Sequence, residues 1–596
     1  MGFIESFGQR LASIRKPAAY TGGEYGAVMK DLADVRLSVA FCFPDTYDIG
    51  MSHLGLQILY GLINSLPHVW CERAFAPRPD MEELLRQSDT PLPSLESGRA
   101  LRDFDVIAFT LQYELCYTNV LNMLDLGGVP IHARARSGLS PLVIAGGPCA
   151  LNPEPLTDFI DAFVVGDGEE VTLELMGLLL EAKAQGSDKQ TLLRSLSRVE
   201  GIYVPASVGD GGPAPVRRRV VADLDTAYFP TRPVVPNTEV VHERVMLELF
   251  RGCRRGCRFC QAGWANRPVR AASPATLLTR AKAACEHTGY DEIALTSLSS
   301  SDYPHISRLC AELLEYTVPR RVNLSLPSLR ADSFSSELSE QTLKVRKSGL
   351  TFAPEAGTQR LRDVINKNLT EDELLSACQA AFAGGHGGVK LYFMLGLPTE
   401  TDEDVSAIAA LARKVISRHR SAKGGKAAPP RVSLSVSCFV PKPHTPFQWA
   451  EMIHPAEMAR RAELLRAQCP RAVTLRWHDP LTSYWEAVLA RGGGETGKAL
   501  EAAWRAGARL DAWSEHFKPR LWQEAFASQG IDPSDYALRA RSADEALPWA
   551  HIRAGVRARH LWQEYQRALA GVTTPDCAEA CSGCGACEGG GKGHES

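Results

Sequence analysis

Short apolar runs recur along this chain, each closed by glycine or proline and followed by a stretch of helical period. The first series is RLSVAFCFP (36–44), DVIAFT (105–110), LVIAGGP (142–148) and DAFVVGDGEE (161–170). LQILYGLINSL (56–66), LCYTNVLNMLDLGG (115–128) and VTLELMGLLLEAKA (171–184) supply helical patterns beside them. Alternation of this kind predicts an open parallel sheet with helices on both faces. In such sheets ligands bind beyond the carboxyl ends of the strands. Those ends carry Gly50, Gly55, Gly146, Gly147, Gly166 and Gly168 here. A second series follows at VMLELF (245–250), EIALTSL (292–298), RVNLSLPSL (321–329), LTFAPEAG (350–357), GVKLYFMLG (388–396) and RVSLSVSCF (431–439). Six strands, each with a helix behind it, predict a partial (β/α)6 barrel with active groups at the strand C-termini.

A chain of 596 residues is too long for one compact domain. The patterns divide it into an arm (1–35), a Rossmann-like α/β domain (36–195), a Gly- and Pro-rich connector (196–244), the barrel (245–450), a helical region (451–575) and a tail (576–596). Hydrophobic residues make up 45% and charged residues 23%, which excludes a disordered or fibrous chain. A net charge of −3 gives no electrostatic case for nucleic acid or an anionic membrane. No apolar stretch reaches the length of a membrane span or a signal core, so a cytoplasmic protein is expected. Gly2 and Ser6 fit the loose N-myristoylation pattern. The basic stretch 413–431 reads as a solvated helix face, with RNA contact the alternative. His478 and Asp479 read as a helix start with an Asp cap, or as acid/base groups.

Sixteen cysteines in a chain with no secretory signal point to metal or catalysis rather than to disulfides. Nine stand singly, as small buried residues do. Cys253, Cys257 and Cys260 form C-x3-C-x2-C just beyond the first barrel strand. Three thiolates on one loop hold three irons of a cubane and leave the fourth open to a small ligand, whereas a structural zinc site needs a fourth protein ligand. Arg251, Arg254, Arg255 and Arg258 flank the loop and are expected to favour the thiolate forms. Cys577, Cys581, Cys584 and Cys587 form C-x3-C-x2-C-x2-C, which can close around a second 4Fe–4S cluster or a zinc ion.

The cluster loop, with Phe259 before its last cysteine, resembles that of radical SAM enzymes. The resemblance implies a 4Fe–4S cluster whose open iron chelates S-adenosylmethionine (SAM) and cleaves it reductively to a 5′-deoxyadenosyl radical. LTSLSSSD (295–302) stands where the family places a Gly-Gly-Glu motif for the SAM amino group, and offers Thr296, Ser297 and Ser299 instead. PSLR (327–330) and APEAGTQRLRDVINK (353–367) resemble strand-end contacts, with Ser328, Arg330 and Glu355 as SAM-binding candidates. GGPCALNPEP (146–155) and VVGDGEE (164–170) resemble segments of cobalamin-binding domains fused ahead of such barrels. Gly146, Gly147, Gly166, Gly168 and Asn152 are the candidate cobalamin contacts, with Tyr47, Gln112 and Asn119 at the edge. The Asp-x-His-x-x-Gly motif is absent, and His53 is the one nearby histidine that could ligate cobalt. Nearly the whole chain resembles an uncharacterised bacterial subgroup of B12-binding-domain radical SAM proteins. The resemblance implies cobalamin-dependent methylation of an unactivated centre, with flavodoxin or ferredoxin as electron donor and a small molecule, RNA or protein as substrate. Three alternatives stand beside it. One is a non-methylating rearrangement or oxidation. Another is a tRNA methylthiotransferase-like enzyme using Cys42, Cys116 and Cys149. The third is a cobalamin or redox sensor without catalysis.

Overall fold

The computed structural model of the protein describes residues 8–209, 212–334, 349–423 and 430–587. The Gly2/Ser6 pattern, residues 424–429 of the basic stretch and the final GGGKGHES lie outside these. Six strands form the first sheet: β1 (Leu37–Phe43), β2 (Val69–Phe75), β3 (Val106–Thr110), β4 (Leu142–Gly146), β5 (Ala162–Val164) and β6 (Ile202–Tyr203). Their spatial order is β2-β1-β3-β4-β5-β6, parallel except for β6, which runs against β5. β1 through β3 are buried at every residue, as strands covered on both faces must be. Among the covering helices are α1 (Leu54–Asn64), α2 (Tyr117–Leu126) and α3 (Glu169–Gln185).

β2 is absent from the sequence expectation because its centre reads Glu72-Arg73. Both side chains are fully buried. Arg73 pairs with Glu24 (2.9 Å) and Glu96 (2.7 Å), and Glu72 with Arg99 (2.7 Å). Buried charges held in pairs satisfy the interior as apolar groups do, but an apolar count cannot see them.

The second series forms all six expected strands: β7 (Val245–Glu248), β8 (Glu292–Thr296), β9 (Asn323–Ser325), β10 (Leu350–Glu355), β11 (Gly388–Leu395) and β12 (Arg431–Cys438). A seventh, β13 (Val473–Trp477), pairs parallel with β12, so the region after 451 is not wholly helical as expected. Among the described residues the strands form two parallel sheets, β9-β8-β7 and β10-β11-β12-β13. Burial alternates along them. Leu247, Ile293, Phe352, Leu391, Phe393, Leu434 and Val436 are buried in the core. Glu248, Thr296, Glu355, Tyr392, Ser435 and Ser437, on the opposite face, are open in part. A packed (β/α) barrel fills this inner face with branched apolar side chains; a polar one leaves room for a ligand.

The C-terminal helices do not stand apart. α4 (Pro480–Arg491) and α5 (Thr496–Arg505) lie against the first domain, and α6 (Pro519–Ser528) packs on both of them. Thr118 Oγ1 donates to Asp511 (2.7 Å), Leu510 N donates to Asn119 Oδ1 (2.9 Å) and Tyr113 Oη donates to Glu486 (2.8 Å). Asp479 caps α4, accepting from the amides of Leu481 and Thr482. α7 (Ala558–Leu569) packs near the cysteine loop. Among the described residues no helix is long and apolar enough to cross a membrane.

Candidate active site

Beyond β7 the chain turns at Gly252 (φ +85°), where an added Cβ would sit 2.5 Å from the Pro268 carbonyl oxygen; only glycine fits. The loop that follows holds Cys253, Cys257 and Cys260, all partly exposed thiols. Cys260 Sγ accepts from Gly263 N (3.3 Å) and so starts the short helix Gln261–Ala265. Trp264 Nε1 donates to the Cys257 carbonyl (2.9 Å), and Arg258 N donates to Ile365 O (2.9 Å). Burial, reinforced by the neighbouring Cys257, pushes the Cys253 thiol up to about 11 and that of Cys260 up to about 12. Burial thus disfavours the bare thiolates of Cys253 and Cys260, and a cationic centre between them would be needed to hold them as thiolates. Among the described residues no His, Cys, Asp or Glu side chains converge on a single-ion site. A cubane takes each thiolate on a different iron, and the loop's three partly open thiols fit that donor set.

The four loop arginines do not supply the expected free positive charge. Arg258 is fully buried and turned away, bonded to Glu564 of α7 (3.1 Å) and to the carbonyls of Val364 and Val572. Arg254 and Arg255 both grip Asp302 and Asp576, and Arg251 pairs with Glu248 (2.9 Å) and Glu169 (2.5 Å). Positive groups from elsewhere also lie near the thiols: Lys367 and Arg267 oppose the upward shifts of Cys260 and Cys253, and Arg330 stands near Cys257, whose charge raises its pKa. Arg267 is 4% exposed, lies over the Trp264 ring (4.3 Å), and its Nε and Nη1 have no hydrogen-bond partner among the described residues. A buried guanidinium left short of acceptors calls for an anion beside it. The sequence named neither Arg267 nor Lys367. The one signal for Lys367 is its place in Asn366-Lys367-Asn368, whose asparagines both adopt positive φ.

The other SAM-binding candidates divide. Arg330 lies at the loop, paired with Asp332 (3.0 Å) and donating to Lys367 O (3.0 Å). Glu355 pairs with Lys367 (3.2 Å) and holds φ +66°, a strained conformation for a non-glycine residue at a strand end. Phe259 packs on the cluster that contains Ala356. Ser297 and Ser299 belong to a tight turn, with Ser299 N donating to Ser297 Oγ (3.2 Å), and Ser328, after the next strand, braces it by accepting from Ser300 N (2.9 Å). Thr296 instead faces a cavity.

That cavity, of about 550 Å3, opens at the carboxyl ends of β1, β3, β4 and β5. Gly146, Gly147, Gly166, Gly168, His53 and Gln112 line it from the first domain, and Met246, Glu248, Arg251 and Thr296 from the barrel strands. Gly147 (φ +102°) and Gly166 (φ +107°) bring backbone against backbone: an added Cβ would stand 2.6 Å from Leu111 O and 2.2 Å from Arg219 O. His53 Nδ1 accepts from Leu56 N (3.2 Å) and caps α1, and burial lowers its pKa. Asn152, Tyr47 and Asn119 are not in the lining. Asn152 donates to Ala490 O and Gly492 O (2.9 Å each), Tyr47 bonds Glu24 (3.0 Å), and Asn119 bonds Pro44 O (2.9 Å). Cys42, Cys116 and Cys149 are buried in the apolar core, where burial raises each thiol.

Residues 247–412 match the radical SAM superfamily, and residues 55–205 match the N-terminal domain of radical SAM proteins. An uncharacterized protein of Methanocaldococcus jannaschii is 28% identical over 469 residues, 78% of this chain and 90% of its own length. The radical S-adenosylmethionine methyltransferase TsrM from Kitasatospora setae, solved with cobalamin and a 4Fe–4S cluster bound, has a similar fold: TM-score 0.50 at 14% identity, over 83% of this chain and all of that one. The cobalamin-dependent S-adenosylmethionine radical enzyme OxsB, without cobalamin, gives a TM-score of 0.48 at 14% identity, over 84% of this chain and 71% of that one.

Proposed function

Because the chain belongs to the radical SAM superfamily, we propose that Cys253, Cys257 and Cys260 hold a 4Fe–4S cluster that binds SAM, and that the cavity between sheet and barrel holds cobalamin. The chemistry these groups supply when bound is one-electron reductive cleavage of SAM and, with cobalamin, methylation of an unactivated centre. The observation that carries the reading is the cavity itself, which is lined at once by the glycine-rich strand ends and by the first two barrel strands. A ligand placed there would meet the barrel's inner face directly.

The chain's own groups have definable tasks. Arg330, beside Cys257, is placed to take the SAM carboxylate, and Glu355, held by Lys367, to take a ribose or amino group. Gly147 and Gly166, packed on the backbone of Leu111 and Arg219, hold the strand-end loops at the cavity rim, and the apolar walls formed by Phe41, Ile144 and Leu175 exclude water from it. Arg251 ties α3 to β7 at the cavity rim through Glu169 and Glu248, so the two domains keep one spacing. Burial of Cys42, Cys116 and Cys149 in the core removes the support for a methylthiotransferase-type second cluster at those positions.

The test is anaerobic reconstitution with iron, sulfide and hydroxocobalamin, followed by SAM and dithionite. We expect one cobalt per chain and release of 5′-deoxyadenosine. Cys257→Ala should abolish that release while leaving cobalt binding in place. Cobalt absent from the wild type would remove cobalamin from the reading, and a Cys257→Ala protein that still cleaves SAM would remove the cluster assignment.

A further inference from the structure

The tail docks on the cysteine loop of the barrel through Asp576 and Cys577. Cys577 N donates to Arg254 O (3.3 Å), and Arg254 adjoins Cys253. Asp576, 3% exposed, is gripped by Arg254 (3.3 Å) and Arg255 (3.0 Å). The approach is stitched further by Thr574 N to Asn366 Oδ1 (2.8 Å), Asn368 Nδ2 to Thr574 O (3.1 Å) and Arg258 to Val572 O (2.6 Å). From the other side Arg557 N donates to Cys584 O (3.0 Å). Gly583 and Gly585, between the cysteines of the motif, take positive φ. One path of a single residue's backbone and one hydrogen bond thus joins Cys577 to Cys253.

Arg267 adds an independent observation. Its guanidinium is buried, Nη2 donates to Arg255 O of the cysteine loop (2.7 Å), and Nε and Nη1 have no hydrogen-bond partner among the described residues. A buried cation so placed calls for negative charge beside it. Exposure is graded across the motif: Cys584 is buried and Cys577 half-buried, while Cys581 and Cys587 are exposed.

We propose that Cys577, Cys581, Cys584 and Cys587 hold a second 4Fe–4S cluster, and that it conducts electrons from a reduced flavodoxin-class protein to the loop cluster. The donor gives up one electron at the exposed Cys581/Cys587 side. The tail centre is reduced by that electron and is reoxidised when it passes to the loop centre, and no bond is made or broken in the tail. The relay rests on the reading of the loop as a SAM-cleaving site; the second cluster does not.

The experiment compares the full-length wild type with the Cys581→Ala/Cys587→Ala variant, whose changes lie at exposed positions. Each is reconstituted anaerobically, iron and zinc are counted, and 5′-deoxyadenosine release is driven by dithionite or by flavodoxin. We expect about eight irons per wild-type chain and about four in the variant. The variant should lose roughly tenfold more of its flavodoxin-driven rate than of its dithionite-driven rate, since a small reductant reaches the loop without the tail. Zinc in the wild-type tail, or an iron count unchanged in the variant, overturns the second cluster. Equal effects on the two rates overturn the relay. A wild type that holds about eight irons yet cleaves no SAM with dithionite overturns the loop reading and leaves the second cluster standing.

Discussion

Among single residues, the four glycines at the strand ends are the instructive case. In the sequence they form one group, small residues beside a large ligand. The backbone separates them. Gly166 needs both a positive φ and the absence of a Cβ, because Arg219 O would lie 2.2 Å away, whereas the nearest atom to a Cβ at Gly146 is at 3.4 Å. Gly166→Ala should therefore lower unfolding free energy by about 3 kcal/mol, and Gly146→Ala by under about 1 kcal/mol. Urea denaturation of the two variants checks this; equal losses would refute the distinction. The loop arginines teach the converse. Their number beside the cysteines suggested charge stabilisation, but each is neutralised by a carboxylate that lies far away in sequence, such as Glu564 for Arg258. Sequence proximity reports which charges exist near a site, and only packing reports which of them remain unpaired.

Elements were legible where one face or both are apolar. All six expected barrel strands form, because alternation between buried and open faces is a local pattern. β2 and β13 escaped notice: β2 buries its charges in pairs, and β13 is an edge strand with Thr474, Arg476 and Trp477 facing outward. The loop after β12 carries a pH-dependent contact. His444 is buried, its Nε2 lies 3.0 Å from the Leu151 carbonyl of the first domain, and burial pushes its pKa down to about 4. The ring is thus neutral in the fold, with His551 and Arg553 adding positive charge nearby. The unfolded chain binds this proton near pH 6.5, so the contact's stability is complete above that pH and is lost as pH falls toward 4. Between pH 7 and pH 5 the loss should be about 2 kcal/mol, and His444→Gln should remove that part of the slope. Urea midpoints at the two pH values measure it; an unchanged slope in the variant would refute the assignment.

For the molecule as a whole, the helical region after residue 480 acts as a clamp. α4 and α5 pack on the first domain with α6 behind them, while residues 552–553 pair with 216–217 of the connector and α7 holds the cysteine loop. Buried contacts such as Thr118–Asp511 and Asn152 with Ala490 and Gly492 join segments more than 300 residues apart. Sheet, barrel and clamp should then unfold together. Calorimetry is expected to give one cooperative transition whose enthalpy matches the van't Hoff value; two resolved transitions would show that the contacts do not couple the parts.

What the sequence determined by itself is whatever depends on near neighbours. It set the two strand-and-helix series, the cysteine spacings that limit ligand chemistry, and the glycine-rich strand ends, because periodicity and short spacing act through adjacent residues. The tertiary structure alone decided which groups share a space. It drew Thr296 and Glu248 into one cavity with Gly146 and Gly166, withheld Asn152 from it, neutralised the loop arginines, and laid the tail at Cys577 against the loop. These are long-range juxtapositions, fixed by how whole elements pack, and the burial that makes each of them matter exists only once the chain has folded.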